Sequence, residues 1–134
     1  MKNEEQKLSE NIAEYLEKQY KDIMFRFDIG ADIRLTIGQA TRVKNKLRHK
    51  RGYPDLFIAE MVNGYGGLYV ELKKDRKEVY KLNGEFKKSE HLEEQIKFHE
   101  KLRQKGYQVV FGLGFDDTVI KIKEYLKELE DESN

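Results

Sequence analysis

The chain has no cysteine, a single proline and no apolar run long enough to cross a membrane. Without cysteine neither a disulfide framework nor a thiolate metal site can form, and such a chain suits a reducing cytosol. A spanning helix needs about 20 consecutive apolar residues. The N-terminus is rich in Glu and Lys and lacks the apolar core of a signal peptide. A cytoplasmic location and no membrane partner are expected. A chain of 134 residues holds one core but not two, so a single domain over 1–134 is expected, with 130–134 as a disordered tail.

A net charge of one sign is also lacking. The total is +1, although 38% of the residues are charged. Beneath that balance the charges are segregated. Arg42, Lys44, Lys46, Arg48, Lys50 and Arg51 fall in ten residues with His49 and no acid, and Lys74–Lys88 carries six bases against three acids. Segregation of this kind matters more than the total when the partner is a polyanion, although a solvated helix face produces the same pattern.

The periodicity of the apolar residues predicts the order α, β, α, β, β, α, β, α. Leu8, Ile12, Tyr15 and Leu16 share one face of a helix over residues 4–20, and 23–28 reads as a strand. Thr36 is placed to cap a helix to about His49, with Ala40, Val43 and Leu47 on its buried side. Gly52 and Pro54 end that helix, since neither continues one comfortably. Two short apolar strands follow, Asp55–Ala59 and Leu68–Leu72, joined by an Asn63–Gly67 hairpin connection. Lys74–Lys88 reads as an exposed loop. Ser89 caps a helix to Lys105 with Leu92, Ile96, Leu102 and His99 inward, Gln108–Leu113 is a core strand, and Asp116 or Asp117 caps a last helix. This is an α/β layer structure with a mostly buried mixed sheet.

Two acids stand on the apolar strands. Asp55 follows Pro54, and Glu71 is followed by Leu72 and Lys73. Burying a carboxylate is costly unless a cation or a paired base compensates. Strand alternation puts Tyr69, Glu71 and Lys73 on one face, and hairpin pairing would bring Asp55 beside Glu71. Hard oxygen donors held together suit Mg²⁺ or Mn²⁺, which can polarise a phosphodiester and lower the pKa of a water, while Lys73 stabilises developing charge. On spacing alone, a solvent-facing Glu–Lys pair remains the plainer reading. Glu5 shares the helical phase of Leu8 and Ile12, which makes it a candidate third acid, or simply a residue favourable to the helix dipole. Gln95, beside inward Ile96, either reaches a phosphate or faces water.

The run Arg51-Gly52-Tyr53-Pro54-Asp55-Leu56-Phe57-Ile58, then Gly67-Leu68-Tyr69-Val70-Glu71-Leu72-Lys73, then Gln95 with Leu102 and Gly106-Tyr107, resembles the VRR-NUC domain. That family is the virus-type replication-repair branch of the PD-(D/E)XK nucleases. The resemblance covers nearly the whole chain. It implies a restriction-endonuclease-like αβββαβ core, a mixed sheet flanked by helices, and Mg²⁺- or Mn²⁺-dependent hydrolysis of DNA. It casts Asp55, Glu71 and the Leu72 main-chain carbonyl as metal ligands, Lys73 as the catalytic lysine, Gln95 as the active-site glutamine and Glu5 as the helix-borne acid. It also implies a homodimer acting on branched or nicked DNA in a phage or bacterial host.

From charge alone, Lys46, Arg48, Lys50 and Arg51 are expected to contact the DNA backbone, because their run leads into Pro54-Asp55. No helix-turn-helix or zinc module points to base readout. The competing expectations are a non-catalytic DNA-binding or scaffold protein that keeps the fold, and a host-interaction protein such as an inhibitor.

Overall fold

A computed structural model of the chain describes residues 4–28, 35–46 and 52–132, with the side chains of 128–132 left aside. Four helices and four strands follow in the expected order: α1 (Glu4–Gln19), β1 (Phe25–Phe27), α2 (Ile37–Lys46), β2 (Leu56–Ile58), β3 (Leu68–Lys73), α3 (Glu90–Gln104), β4 (Gln108–Leu113) and α4 (Phe115–Glu132). The sheet order is β1-β2-β3-β4, antiparallel at the first two junctions and parallel at the third. The mixed sheet and its flanking helices are the architecture expected from the sequence.

The central strands β2 and β3 are the buried ones, while β1 at the sheet edge has no buried residue. Leu56, Ile58, Leu68 and Val70 are fully enclosed against Leu8, Ile12 and Leu16 of α1 and Ile122 and Leu126 of α4. Each such side chain contributes about 1.5–3 kcal/mol on burial. The Tyr125 hydroxyl of α4 donates to the Glu60 carbonyl at 2.6 Å and ties that helix to the end of β2. The opposite face is aromatic. Phe57 and Tyr69 lie 4.5 Å apart, Tyr53 and Phe98 4.9 Å, and these rings seat α3 against the sheet with Leu102, Tyr107 and Val109.

The β2–β3 connection closes at Val62–Tyr65, whose N–H and C=O groups bond reciprocally at 3.1 and 2.9 Å. Its central residues, Asn63 and Gly64, both have positive φ (50° and 84°), the combination that a hairpin turn between right-twisted strands requires. Ser89 caps α3 as expected, accepting from the Leu92 N–H at 3.3 Å.

Four details differ from expectation. Helix α2 forms, with Thr36 and Gln39 in a reciprocal capping pair, but Ala40 and Val43 are not buried, and no residue of α2 is. Periodicity identifies the face a helix could bury; it does not supply a partner. Lys74–Lys88 is more than a loop. It contains a 3₁₀ turn at Arg76–Glu78 and a small hairpin bridged at Tyr80 and Phe86, whose rings stack at 5.2 Å. Neither Asp116 nor Asp117 precedes α4; both lie in its first turn, and Asp117 accepts from the Leu113 N–H at 2.9 Å. Finally, α4 continues to Glu132, into the stretch expected to be a disordered tail.

Candidate active site

The pairing register assembles the site. Leu56 faces Val70 and Phe57 faces Tyr69, so the next step sets Asp55 against Glu71. On the other side Phe27 faces Leu56, and the Asp28 N–H donates to the Asp55 carbonyl at 2.7 Å. Three acids, Asp28, Asp55 and Glu71, therefore stand in one row across β1, β2 and β3. The next residue along would pair Pro54 with Leu72. Pro54 has no N–H to give the Leu72 carbonyl, and the Leu72 N–H instead donates to Asp55 Oδ2 at 2.7 Å. The N–H and C=O of one strand residue face the same neighbour, so the Leu72 carbonyl is directed to the Asp55 side as well.

Gly52 makes this turn possible. Its φ is 83°, and a Cβ there would lie 3.2 Å from the Glu94 carbonyl and 3.3 Å from Phe98 Cβ, both on α3. Only glycine brings the chain this close to α3 at that backbone angle.

The Asp55 and Glu71 carboxyls lie close enough for each to shift the titration of the other. Glu71 is 3% exposed. Burial, then the charge and hydrogen bond of Glu71, raises the Asp55 carboxyl well above its usual range, against the Leu72 N–H and Lys73. Burial likewise raises Glu71, up to about 7. Glu5 and Asp28 add to that rise, while the Asp55 hydrogen bond and Lys73 oppose it. Close carboxyls in a desolvated setting hold a proton in common unless a cation replaces it.

Lys73 is half-buried at the end of β3 on the Glu71 face, and its charge is felt by Asp55, Glu71 and His99. Gln95 is 5% exposed on α3. Its amide nitrogen lies 3.3 Å from His91 Nε2, and its buried Oε1 has no hydrogen-bond partner among the described residues. Gln95 is thus turned away from bulk water. Glu5, by contrast, is exposed and does not join the apolar stripe of Leu8, Ile12 and Leu16. It nonetheless acts on Glu71 through its charge. Lys46 is exposed in the last turn of α2, and Arg48, Lys50 and Arg51 lie outside the described residues.

Two residues were not singled out for function by sequence reasoning. Asp28 becomes part of the row only through the β1–β2 register, for which no local signal existed. His99 is 1% exposed, and its Nε2 lies 3.3 Å from Glu71 Oε1. Burial, then the Arg103 and Lys73 charges, lowers His99 to about 4, so the ring is neutral near pH 7. A signal for it was present, since His99 follows Gln95 by four residues and so shares its helix face.

Among the described residues, no group of three or more His, Cys, Asp or Glu side chains is arranged to hold a metal ion. A hard cation such as Mg²⁺ is commonly bound through one or two carboxylates, with waters and substrate phosphate completing the shell. Asp55, Glu71 and the Leu72 carbonyl are oxygen donors of the appropriate class.

One solved structure, titled "VRR_NUC domain protein", superposes on this chain with a TM-score of 0.60 at 24% identity, over 92% of this chain and 88% of that one. The chain has the VRR-NUC fold. No family model matches it, and no curated protein does. The VRR-NUC architecture thus extends over nearly all of the chain. Among the described residues no helix is long and apolar enough to cross a membrane.

Proposed function

We propose that the chain is a single-domain, divalent-cation-dependent DNA endonuclease that hydrolyses phosphodiester bonds in branched, flapped or nicked DNA. The observation carrying this reading is the convergence of the Asp55 and Glu71 carboxyls, both raised by burial, beside Lys73 on a VRR-NUC fold. Maintaining two desolvated acids in hydrogen-bond contact is unfavourable for a purely structural domain and useful to one that binds a cation.

In this reading Asp55, Glu71 and the Leu72 carbonyl hold Mg²⁺ or Mn²⁺, with Glu5 contributing from the start of α1. The cation, when bound, supplies Lewis-acid polarisation of the phosphodiester and a lowered pKa for the attacking water. Lys73 places a positive charge where negative charge develops on the phosphate and orients the attack. Gln95 offers its unpartnered amide oxygen to the same space as a hydrogen-bond acceptor for the water.

Binding of the DNA backbone is assigned to Lys46 and the following Arg48, Lys50 and Arg51, together with the basic Lys74–Lys88 segment that leaves the catalytic strand. Backbone contact of this kind recognises shape in preference to sequence. A homodimer would present two sites to two strands, and the setting is a phage or bacterial cytosol, in replication, recombination or repair.

The test is cleavage of linear, nicked, flapped and four-way-junction DNA with Mg²⁺, Mn²⁺ or EDTA, for wild type, Glu71→Ala and Lys73→Ala. Metal-dependent cutting abolished in both variants is expected. No cleavage with either metal, or cleavage unchanged in the variants, defeats the enzymatic reading. DNA binding without cleavage would point to a scaffold that keeps the fold.

A further inference from the structure

We propose that His99 is the positioning residue of the Glu71 carboxylate, donating its Nε2–H to Oε1 so that the other carboxylate oxygen is presented to the cation; this rests on the nuclease reading above. The two acids of the site are then held in the same way. Asp55 has one oxygen engaged by the Leu72 N–H at 2.7 Å, and Glu71 has one engaged by His99 Nε2 at 3.3 Å. Each is left one oxygen to turn toward the other carboxyl, and hence toward a cation between them.

Other roles for His99 fit the geometry less well. A general base must direct a free nitrogen at the attacking water, and the site-facing Nε2 of His99 is directed at Glu71 instead. Mg²⁺ and Mn²⁺ favour oxygen donors, and the Nε2 that faces the site is already directed at Glu71. Simple packing accounts for the edge contact of the ring with Phe111 at 5.0 Å, but not for a ring nitrogen aimed at a buried carboxylate. Phe111 lies opposite Glu71 in the β3–β4 register, so the same contact fixes the ring beside the acid. Once ionised, Glu71 can only accept hydrogen bonds, so the nitrogen facing it must carry the proton. An outer histidine that fixes a ligating carboxylate in this manner contributes about 10–100-fold to metal affinity.

Mn²⁺ binding by calorimetry without DNA, on wild type, His99→Phe and His99→Gln, tests this independently of cleavage. Phe keeps the ring and its Phe111 contact but has no donor; Gln restores an N–H near the Nε2 position. The expected result is Mn²⁺ binding weaker by about 10–100-fold in His99→Phe and largely restored in His99→Gln. Equal affinity in wild type and His99→Phe, or Gln no better than Phe, overturns the inference. Circular dichroism establishes that each variant is folded. Should His99→Phe not fold, long-range ¹H–¹⁵N spectra of the wild-type ring decide: the Nε2–H tautomer is expected, and the Nδ1–H tautomer overturns the assignment. A wild-type chain that takes up no Mn²⁺ ends the nuclease reading and this inference with it, whereas unaltered affinity in the variants ends the inference alone.

Discussion

Glu71→Gln should make the metal-free protein more stable at pH 8 while removing its activity. The substitution preserves shape and the capacity to bond both neighbours. The new amide oxygen accepts from His99 where Glu71 Oε1 does now, which leaves the amide nitrogen as a donor for the neighbouring Asp55 carboxylate. What disappears is the cost of ionising a carboxyl in a desolvated place. Burial pushes Glu71 from its ordinary 4.5 up to about 7. At about 1.4 kcal/mol per pH unit, that displacement sets an upper figure of a few kcal/mol, and relaxation with water entry brings the expectation to about 1–3 kcal/mol. A carboxyl raised in the folded state contributes stability below its unfolded pKa and loses it as pH rises through the folded value. The variant's advantage should therefore be small at pH 5 and grow toward pH 8, where it amounts to about 5–10 °C in thermal midpoint. Adding Mn²⁺ should reverse the ranking, since a ligand at about 1,000 times its Kd stabilises the binding-competent wild type by about 4.1 kcal/mol. Thermal melts of both proteins at pH 5 and pH 8, with and without Mn²⁺, decide the matter. A variant less stable than wild type at pH 8, or a gap that does not change with pH, refutes the reasoning.

Lys73→Met should lower single-turnover cleavage by about 10²–10³-fold while Mn²⁺ affinity measured without DNA stays equal or improves, because the cation is freed of a like-charged neighbour; a parallel fall in metal binding would remove Lys73 from the chemistry. Gly52→Ala should destabilise the chain by about 1–2 kcal/mol in urea unfolding, since alanine at a φ of 83° is strained and its Cβ presses on the α3 backbone; an unchanged midpoint would show that the turn relaxes without glycine. Reversing Lys77, Lys81 and Lys87 to Glu should weaken DNA binding and flatten its dependence on log salt by about 0.9 for each phosphate no longer neutralised. An unaltered salt slope would take the Lys74–Lys88 segment out of the DNA path.

The sequence alone determined the order of elements, the cap at Ser89, the hairpin at Asn63-Gly64 and the candidacy of Asp55, Glu71 and Lys73. All of these depend on local signals: apolar periodicity, residues that tolerate positive φ, and side chains that bond to nearby backbone. What required the tertiary structure was everything set by contact between distant segments. Asp28 joins the acidic row through the β1–β2 register, and His99 meets Glu71 across 28 residues because α3 lies over β3. The exposure of α2 was likewise hidden, since an amphipathic pattern does not state whether a partner is present. Pro54 was visible as a helix stop, but its second effect, leaving the Leu72 carbonyl without a strand donor beside Asp55, follows only from the pairing of β2 with β3. Local propensity chose the pieces; long-range packing, which no local pattern encodes, placed the carboxyls in contact and shifted their titration.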